Sequence, residues 1–195
     1  MKIWRRIFVE AGYLIPDCNV ERMVRDTYVR ALLTDTRRLD LISNGIAGVF
    51  SGACLFLDVT CVSPLTGRGE AVARASLVNS AALGRQDYRT WAVDYPDVAN
   101  TPSAALLSLS FETYGRWGPH SFILLRQLAR AKANNVSLIL QASTRQAYMA
   151  RWSSLLSIGL QRLVASAISS WRAANLVMQF PQETPWILDV LDYSR

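Results

Sequence analysis

Two stretches of this sequence decide the fold that we predict: Arg37-Arg38-Leu39-Asp40-Leu41-Ile42 and Cys54-Leu55-Phe56-Leu57-Asp58-Val59-Thr60. Each is a short and mainly apolar run that contains one aspartate, and a glycine-containing segment separates them. The pattern predicts two adjacent strands, about 37–43 and 53–62, joined by a loose hairpin. Carboxylates on neighbouring strands can chelate a hard divalent cation such as Mg²⁺. Asp40 and Asp58 are therefore the candidate metal ligands and catalytic residues.

The rest of the chain predicts helices around these strands. We expect helices at about 3–12, 19–32, 70–90, 119–132 and 144–173, a loop at 91–103 and a third strand at 106–113. A hairpin followed by a helical crossover to a third strand predicts a mixed sheet flanked by helices. The expected fold class is thus α/β, one domain over 1–180 with a C-terminal helical extension and an irregular tail over 181–195.

Composition limits the class of protein. The chain has 195 residues, of which 51% are hydrophobic, which is enough for one domain with a real core. No apolar run reaches the roughly 20 residues of a membrane span, and the N-terminus does not resemble a signal peptide. Three cysteines, which cannot all pair, predict buried, reduced thiols in an intracellular protein. One histidine and scattered cysteines also exclude a zinc finger.

Positive charge is concentrated in the C-terminal part of the chain. The net charge is +6, and no acidic residue occurs from Thr113 to Gln182. Arginine dominates lysine, and its planar guanidinium matches phosphate oxygens well. A basic block of this kind attracts a polyanion, although a solvated basic face without a dedicated partner is the simpler interpretation. The candidate nucleic-acid-binding residues are Arg116, Arg126, Arg130, Arg151 and Arg162.

Several segments together resemble a known family. They are the runs Ile15–Met23, Arg37–Leu41, Asp58–Leu65, Glu112–Gly118, Arg151–Leu156 and Leu160–Gln161. Over residues 8–170 the sequence is similar to the C-terminal, restriction-endonuclease-like region of reverse transcriptase proteins derived from retrotransposons without long terminal repeats. Decayed fragments of such proteins are frequent in protists, and especially in dinoflagellates. The resemblance implies a nuclease fold of the PD-(D/E)XK type in which Asp40 and Asp58 bind Mg²⁺ or Mn²⁺.

The resemblance also implies a partner and a defect. The partner would be DNA, with the RNA of the parent element as an alternative, in an intracellular location that could include the nucleus. Active relatives carry a lysine in the helix that follows the second aspartate. Residues 70–90 instead contain Arg74, Arg85 and Arg89. Arginine can stabilise phosphate charge but is a poor proton carrier. The expected function is therefore a degenerate, weakly active or inactive endonuclease-like domain.

Simpler interpretations remain open for each candidate. Asp40 could pair with Arg37 or Arg38 rather than bind a metal. Glu112, at the end of the third strand, is a candidate third catalytic carboxylate, but it could cap a turn or pair with Arg116.

Trp117 and His120 could stack a base and grip a phosphate, or they could be ordinary packing and polar contacts. The alternative function is a non-catalytic nucleic-acid-binding module built on the basic C-terminal helices. A product whose basic face has no partner is the third possibility, and the sequence does not indicate an oligomeric state.

Overall fold

A four-stranded mixed sheet forms the centre of the structure, a computed structural model that describes residues 2–44, 46, 52–65, 68, 70 and 81–179, with the backbone alone for 171–179. The strands are β1 (Val20–Met23), β2 (Arg38–Asn44), β3 (Cys54–Val62) and β4 (Ala104–Glu112), in the order β1-β2-β3-β4. β1 and β3 are antiparallel to β2, and β4 is parallel to β3. The mixed α/β sheet expected from the hairpin and the crossover is confirmed.

Five α-helices surround the sheet. They are α1 (Lys2–Ala11), α2 (Ala81–Arg89), α3 (Pro96–Ala99), α4 (Pro119–Ala133) and α5 (Gln141–Gln179). α2 continues directly into a π-helical turn, Thr90–Asp94, before α3 begins. Pro119 opens α4 because proline is tolerated at the first helical position, where no N–H is needed. The chain divides into two compact units, Met1–Gly159 and Leu160–Arg195, and the sheet belongs to the first.

The two faces of the sheet pack against different helices. On one face Phe56 and Leu106 form a core cluster with Tyr95 and Val98, which lie at the end of the π-helical turn and in α3. On the other face Trp4 of α1 packs against Phe111, with ring centroids 6.3 Å apart. Side chains alternate between faces along a strand, so Asp58 lies on the same face as Phe56.

The predicted second helix at 19–32 is wrong. In its place the chain forms a 3₁₀ turn, strand β1 and another 3₁₀ turn, Val24–Asp26. The loop predicted at 91–103 is also wrong in part, because it contains most of the π-helical turn and all of α3. Cys18 and Cys61 are exposed rather than buried. The predicted turn at Asn44-Gly45, most of the helix at 70–80 and the tail 181–195 lie outside the described residues.

Glu10 joins α1 to α5 and makes stability depend on pH. Arg151 donates two hydrogen bonds to the Glu10 carboxylate, at 2.9 and 3.0 Å, and the Trp152 indole donates a third at 2.8 Å. The bonds from Arg151, followed by those from Trp152 and Arg6, lower the pKa of Glu10 to about 2. A carboxyl whose pKa is depressed by folding stabilises the protein above its unfolded pKa and loses that contribution as the pH falls.

We therefore expect Glu10→Gln to lower the Tm on the order of 3 °C at pH 7. The difference from the wild type should shrink as the pH falls from about 4.5 towards 2, because both proteins then carry a neutral side chain. Thermal unfolding followed by circular dichroism at pH 7 and pH 3 measures this. An equal Tm difference at both values would contradict the assigned ion pair.

Candidate active site

The structure brings Asp40 and Asp58 together on adjacent strands. In the antiparallel ladder of β2 and β3, Leu41 lies opposite Leu57, and the next positions along the two strands are Asp40 and Asp58. Residues opposite each other in such a pair have Cβ atoms about 5 Å apart. The two carboxylates are therefore neighbours on one face of the sheet, as the sequence pattern predicts.

Each of these carboxylates is oriented through one oxygen. The Val59 backbone N–H donates to Asp40 Oδ2 at 2.6 Å. The hydroxyls of Thr60 and Thr90 donate to Asp58 Oδ2 at 3.1 and 3.3 Å. Among the described residues, no hydrogen bond reaches either Oδ1 atom. The arrangement fixes both side chains and leaves one oxygen of each for a ligand.

Burial makes both carboxylates hard to ionise without a counter-charge. It is the main cause that raises the pKa of Asp40, to which the negative charge of Asp58 adds. Burial likewise raises the pKa of Asp58, with a further contribution from Asp94. A bound cation would offset both effects, since it favours the charged form of nearby carboxyls. The donors are hard oxygens of the type that Mg²⁺ prefers, so the residues fit this ion.

The π-helical turn supplies the cover of the site. Gln86 Nε2 donates to Thr90 Oγ1 at 3.3 Å, and this leaves the single Thr90 hydroxyl proton for Asp58. Thr90 is fully buried, and the adjacent Tyr95 donates its hydroxyl proton to the Arg38 carbonyl. Burial, followed by the charges of Asp58, Asp40 and Asp94, raises the pKa of Tyr95, which keeps it protonated. π-turns in helices occur frequently at functional sites.

The structure does not pair Arg37 with Asp40. The Arg37 guanidinium donates to both carboxylate oxygens of Asp97, at 2.7 and 2.8 Å, and to Asp35 at 2.6 Å. It also donates to the Asp94 backbone carbonyl at 2.7 Å. The simpler interpretation of Asp40 as half of an ion pair with this arginine therefore lacks support. Arg37 instead fastens the segment from Asp94 to α3 beside the sheet.

Glu112 lies apart from the aspartate pair. Asp58 is opposite Ser108 in the parallel ladder, and Glu112 is four residues further, about 13 Å along the strand. The Glu112 side chain is buried, and its Oε2 lies 3.5 Å from Nε of Arg116. Its predicted role as a third carboxylate of this site therefore has no geometric support, and the ion pair with Arg116 is what the structure contains.

A second polar cluster lies next to the pair on the same face. Asp87 of α2 is buried and accepts a hydrogen bond of 3.1 Å from Ser110. His120 Nδ1 lies 3.5 Å from Asp87 Oδ2. Asp87 is one helical turn before Thr90, so the two clusters are adjacent. Ser108, which is beside Asp58, has a buried hydroxyl without a hydrogen-bond partner in the described part of the chain.

The two described arginines of this region, Arg85 and Arg89, do not take the place of the missing lysine. Arg85 is exposed, and Arg89, whose side chain is 68% exposed, pairs with Asp94 at 3.4 Å. Arg74 lies outside the described residues. The buried polar residues of α2 and its π-helical extension are Asp87 and Thr90, and neither is a cation. The site therefore has carboxylates and hydroxyls but, over the described residues, no basic side chain hydrogen-bonded to the aspartates.

The candidate nucleic-acid-binding arginines differ in exposure and in whether other side chains bind their guanidinium groups. Arg126 and Arg130 are exposed on α4, one turn apart, and Arg126 lies over the Phe122 ring at 5.8 Å. Arg162 is exposed on α5. Arg151 is held by Glu10, and Arg116 contacts Glu112. Only the first three retain a guanidinium that no hydrogen bond within the described residues engages.

Some site residues were missed from the sequence. Thr90 donates to Asp58, and Tyr95 lies close enough for both aspartates to raise its pKa. The sequence predicts that Thr90 ends a helix and that Tyr95 lies in a loop, because Pro96, Asn100 and Pro102 are typical of a loop. A proline at the first position of α3 was a usable helix signal. For Thr90 the sequence carries no signal, because a threonine that orients a carboxylate looks like any other threonine.

Comparisons with protein-family models, with curated proteins and with solved structures find no match to this chain. Over the described residues there is no group of three or more histidine, cysteine or acidic side chains placed to hold a metal ion. The same residues include no helix with the length and apolar character needed to cross a membrane. The function must therefore be argued from the aspartate pair and the basic helices.

Proposed function

We propose that this chain is a restriction-endonuclease-like domain derived from a retroelement, which binds DNA and nicks it slowly with Mg²⁺ or Mn²⁺. The observation that carries the proposal is the pair of adjacent carboxylates, each with Oδ2 hydrogen-bonded and with an Oδ1 that no hydrogen bond from the described residues reaches. The mixed sheet with helices on both faces supports the fold assignment, and the arginines of α4 support a polyanionic substrate.

Asp40 and Asp58 would hold the metal through their Oδ1 atoms. The ion would supply charge stabilisation to the phosphodiester and a water of lowered pKa. Thr60 and Thr90 keep Asp58 oriented, and the Val59 N–H keeps Asp40 oriented, so that neither carboxylate must reorganise on binding. Tyr95 is buried and lies close enough to both aspartates for their charges to raise its pKa.

We attribute slow turnover to the lack, among the described residues, of a basic side chain at the aspartate pair. In the described residues neither a lysine nor an arginine is hydrogen-bonded to the pair, so a second positive charge on the phosphate must come from elsewhere. Loss of one electrostatic donor in an active site costs about 10²–10³ in rate. We therefore expect nicking that is detectable over hours rather than seconds.

Metal-dependent nicking of supercoiled plasmid tests the proposal. We expect open-circular product with Mg²⁺ or Mn²⁺, and none with EDTA or with Ca²⁺ alone. Product that forms equally with EDTA would reveal a contaminant or a metal-free activity, and either would contradict the proposal. Absence of product under every condition would leave the non-catalytic nucleic-acid-binding module, which the exposed arginines of α4 favour.

Salt dependence identifies the phosphate contacts. We expect the double variant Arg126→Ala/Arg130→Ala to reduce the slope of log Kd against log salt for a DNA duplex by about 2, because each phosphate contact releases about one counterion. Arg151→Ala removes an arginine that Glu10 already engages and should leave the slope unchanged. Fluorescence anisotropy at several salt concentrations measures both slopes. Equal slopes for the wild type and the double variant would show that Arg126 and Arg130 of α4 do not contact DNA phosphates.

A further inference from the structure

Two aromatic rings, the exposed Trp91 and the partly buried His120, pack together next in sequence to Thr90, which contacts Asp58. Trp91, in the π-helical turn, packs against His120 at the start of α4, with ring centroids 5.0 Å apart and an interplanar angle of 55°. Trp91 is 40% exposed, which leaves part of its ring open to solvent. We call these two rings the aromatic platform.

The aromatic platform is held from beneath. His120 Nδ1 faces the buried Asp87 carboxylate, and Ser110 donates to the other oxygen of that carboxylate. Ser121, the next residue of α4, donates to the Ser110 carbonyl at 3.3 Å. His120 Nδ1 is buried and has no hydrogen-bond partner within the described residues, so Asp87 and the Ser121 bond define the surroundings of the ring. A rigid aromatic surface stacks on a ligand with little loss of side-chain entropy.

The position of the aromatic platform links it to the aspartates. Trp91 directly follows Thr90, whose hydroxyl donates to Asp58. A group stacked on Trp91 would thus lie on the solvent side of the π-helical turn whose first residue, Thr90, contacts Asp58. Further along α4 from His120, the residues Phe122, Arg126 and Arg130 are exposed.

We propose that the aromatic platform stacks an unpaired base of single-stranded nucleic acid, while Arg126 and Arg130 contact its phosphates. This inference rests on the proposed function and names its preferred substrate, a strand with unpaired bases near the cleavage point. Single-strand binders combine cationic grooves with aromatic side chains, because every base has a face that can stack. The absence of acidic residues from 113 to 182 removes the repulsion that a phosphate backbone would otherwise meet on α4.

Single-strand affinity with three replacements at one position tests this directly. The probes are a fluorescein-labelled twenty-nucleotide oligothymidylate and a twenty-base-pair duplex, titrated with the full chain by anisotropy. We expect Trp91→Ala to raise the single-strand Kd about tenfold, which corresponds to about 1.4 kcal/mol. The duplex Kd should change less than about twofold, and the salt slope should stay the same because no phosphate contact is lost.

Trp91→Phe and Trp91→Leu distinguish an effect of ring stacking from an effect of side-chain volume or of misfolding. Phenylalanine keeps a ring and should stay within about threefold of the wild type, whereas leucine keeps apolar volume and should behave like alanine. Tyr114→Ala, at an aromatic residue that is 72% exposed, is the control and should change nothing. Thermal unfolding of each variant confirms that it is folded, and Trp91→Phe against Trp91→Leu still decides the matter if the alanine variant does not fold.

Three results would overturn the inference: an unchanged single-strand Kd in Trp91→Ala and Trp91→Leu, equal losses on single strand and duplex, or phenylalanine as weak as leucine. Plasmid nicking gives an independent readout. Metal-dependent nicking by the wild type, together with an unchanged single-strand Kd in the Trp91 variants, would refute stacking on the aromatic platform and support the proposed function. A weaker single-strand Kd in the Trp91 variants, without nicking by the wild type, would support stacking and refute the proposed nuclease function.

Discussion

Asp58→Asn is expected to lose metal-dependent nicking by about 10²-fold or more, since it removes one of the two charged ligands that the described residues supply. Asparagine has nearly the same shape, and its carbonyl oxygen can still accept from Thr60 and Thr90, which donate to Asp58 Oδ2. The substitution therefore changes charge with little change in packing. The measurement is the initial rate of open-circular product with Mg²⁺ or Mn²⁺ at a fixed protein concentration.

The same substitution is expected to stabilise the fold in metal-free buffer. Burial raises the pKa of Asp58, so the folded chain holds that proton more tightly than the unfolded chain does. Such a group favours folding most below its unfolded pKa, and this contribution is lost as the pH rises through the folded pKa. Asp58→Asn should thus have a higher Tm than the wild type at pH 8 and a nearly equal Tm near pH 4. Added Mg²⁺ should raise the Tm of the wild type alone.

Asp17→Asn is the matched control, because its carboxylate is 87% exposed and makes its ion pair with Arg5. It should retain nicking and an unchanged response to Mg²⁺. Wild-type nicking in Asp58→Asn would refute the metal site. A lower Tm in that variant at pH 8 without metal would show that the carboxylate stabilises the fold, which would favour a structural role for the pair.

The parts of the site that could be predicted from sequence are those set by strand periodicity. Two apolar runs with one aspartate each fix both the hairpin and the face, because a strand alternates its side chains with a period of two. Asp40 and Asp58 therefore meet as expected. The distance of Glu112 from this pair could not be predicted. The sequence indicates that Glu112 ends a strand, but it does not give the register between parallel strands, which puts Glu112 opposite Val62.

The parts that could not be predicted depend on long-range contacts. β1 was read as part of a helix because its four residues, Val20–Met23, are too few to show alternation. It is stabilised as a strand by pairing with β2, which no local propensity encodes. The cover of the site by Thr90 and Tyr95 depends on a π-helical turn, which inserts a residue without any sequence signature. Nearness in sequence suggests Arg37 or Arg38 as a partner of Asp40, whereas Arg37 bonds Asp97, which is sixty residues away.

Trp152→Ala is expected to produce the largest loss of stability, about 3–5 kcal/mol. The Trp152 side chain is fully buried, packs against the Tyr148 ring at 5.1 Å and donates from Nε1 to Glu10 at 2.8 Å. Its removal leaves a cavity where α5 meets α1 and takes away one of the donors to Glu10. Urea unfolding followed by circular dichroism gives the difference in free energy of unfolding.

Two further variants decide whether burial or the hydrogen bond explains that loss. Trp152→Phe keeps an aromatic ring and loses the donor, while Arg151 and Arg6 still bond Glu10, so about 1–2 kcal/mol is expected. Leu163, which the helical pattern places on the same face of α5 as Trp152, is 56% exposed, and Leu163→Ala should cost less than about 0.5 kcal/mol. A loss of under about 1 kcal/mol in Trp152→Ala would mean that α5 is not anchored through this residue. Equal losses at positions 152 and 163 would mean instead that the whole apolar stripe of α5 is buried in solution, as the sequence pattern alone suggests.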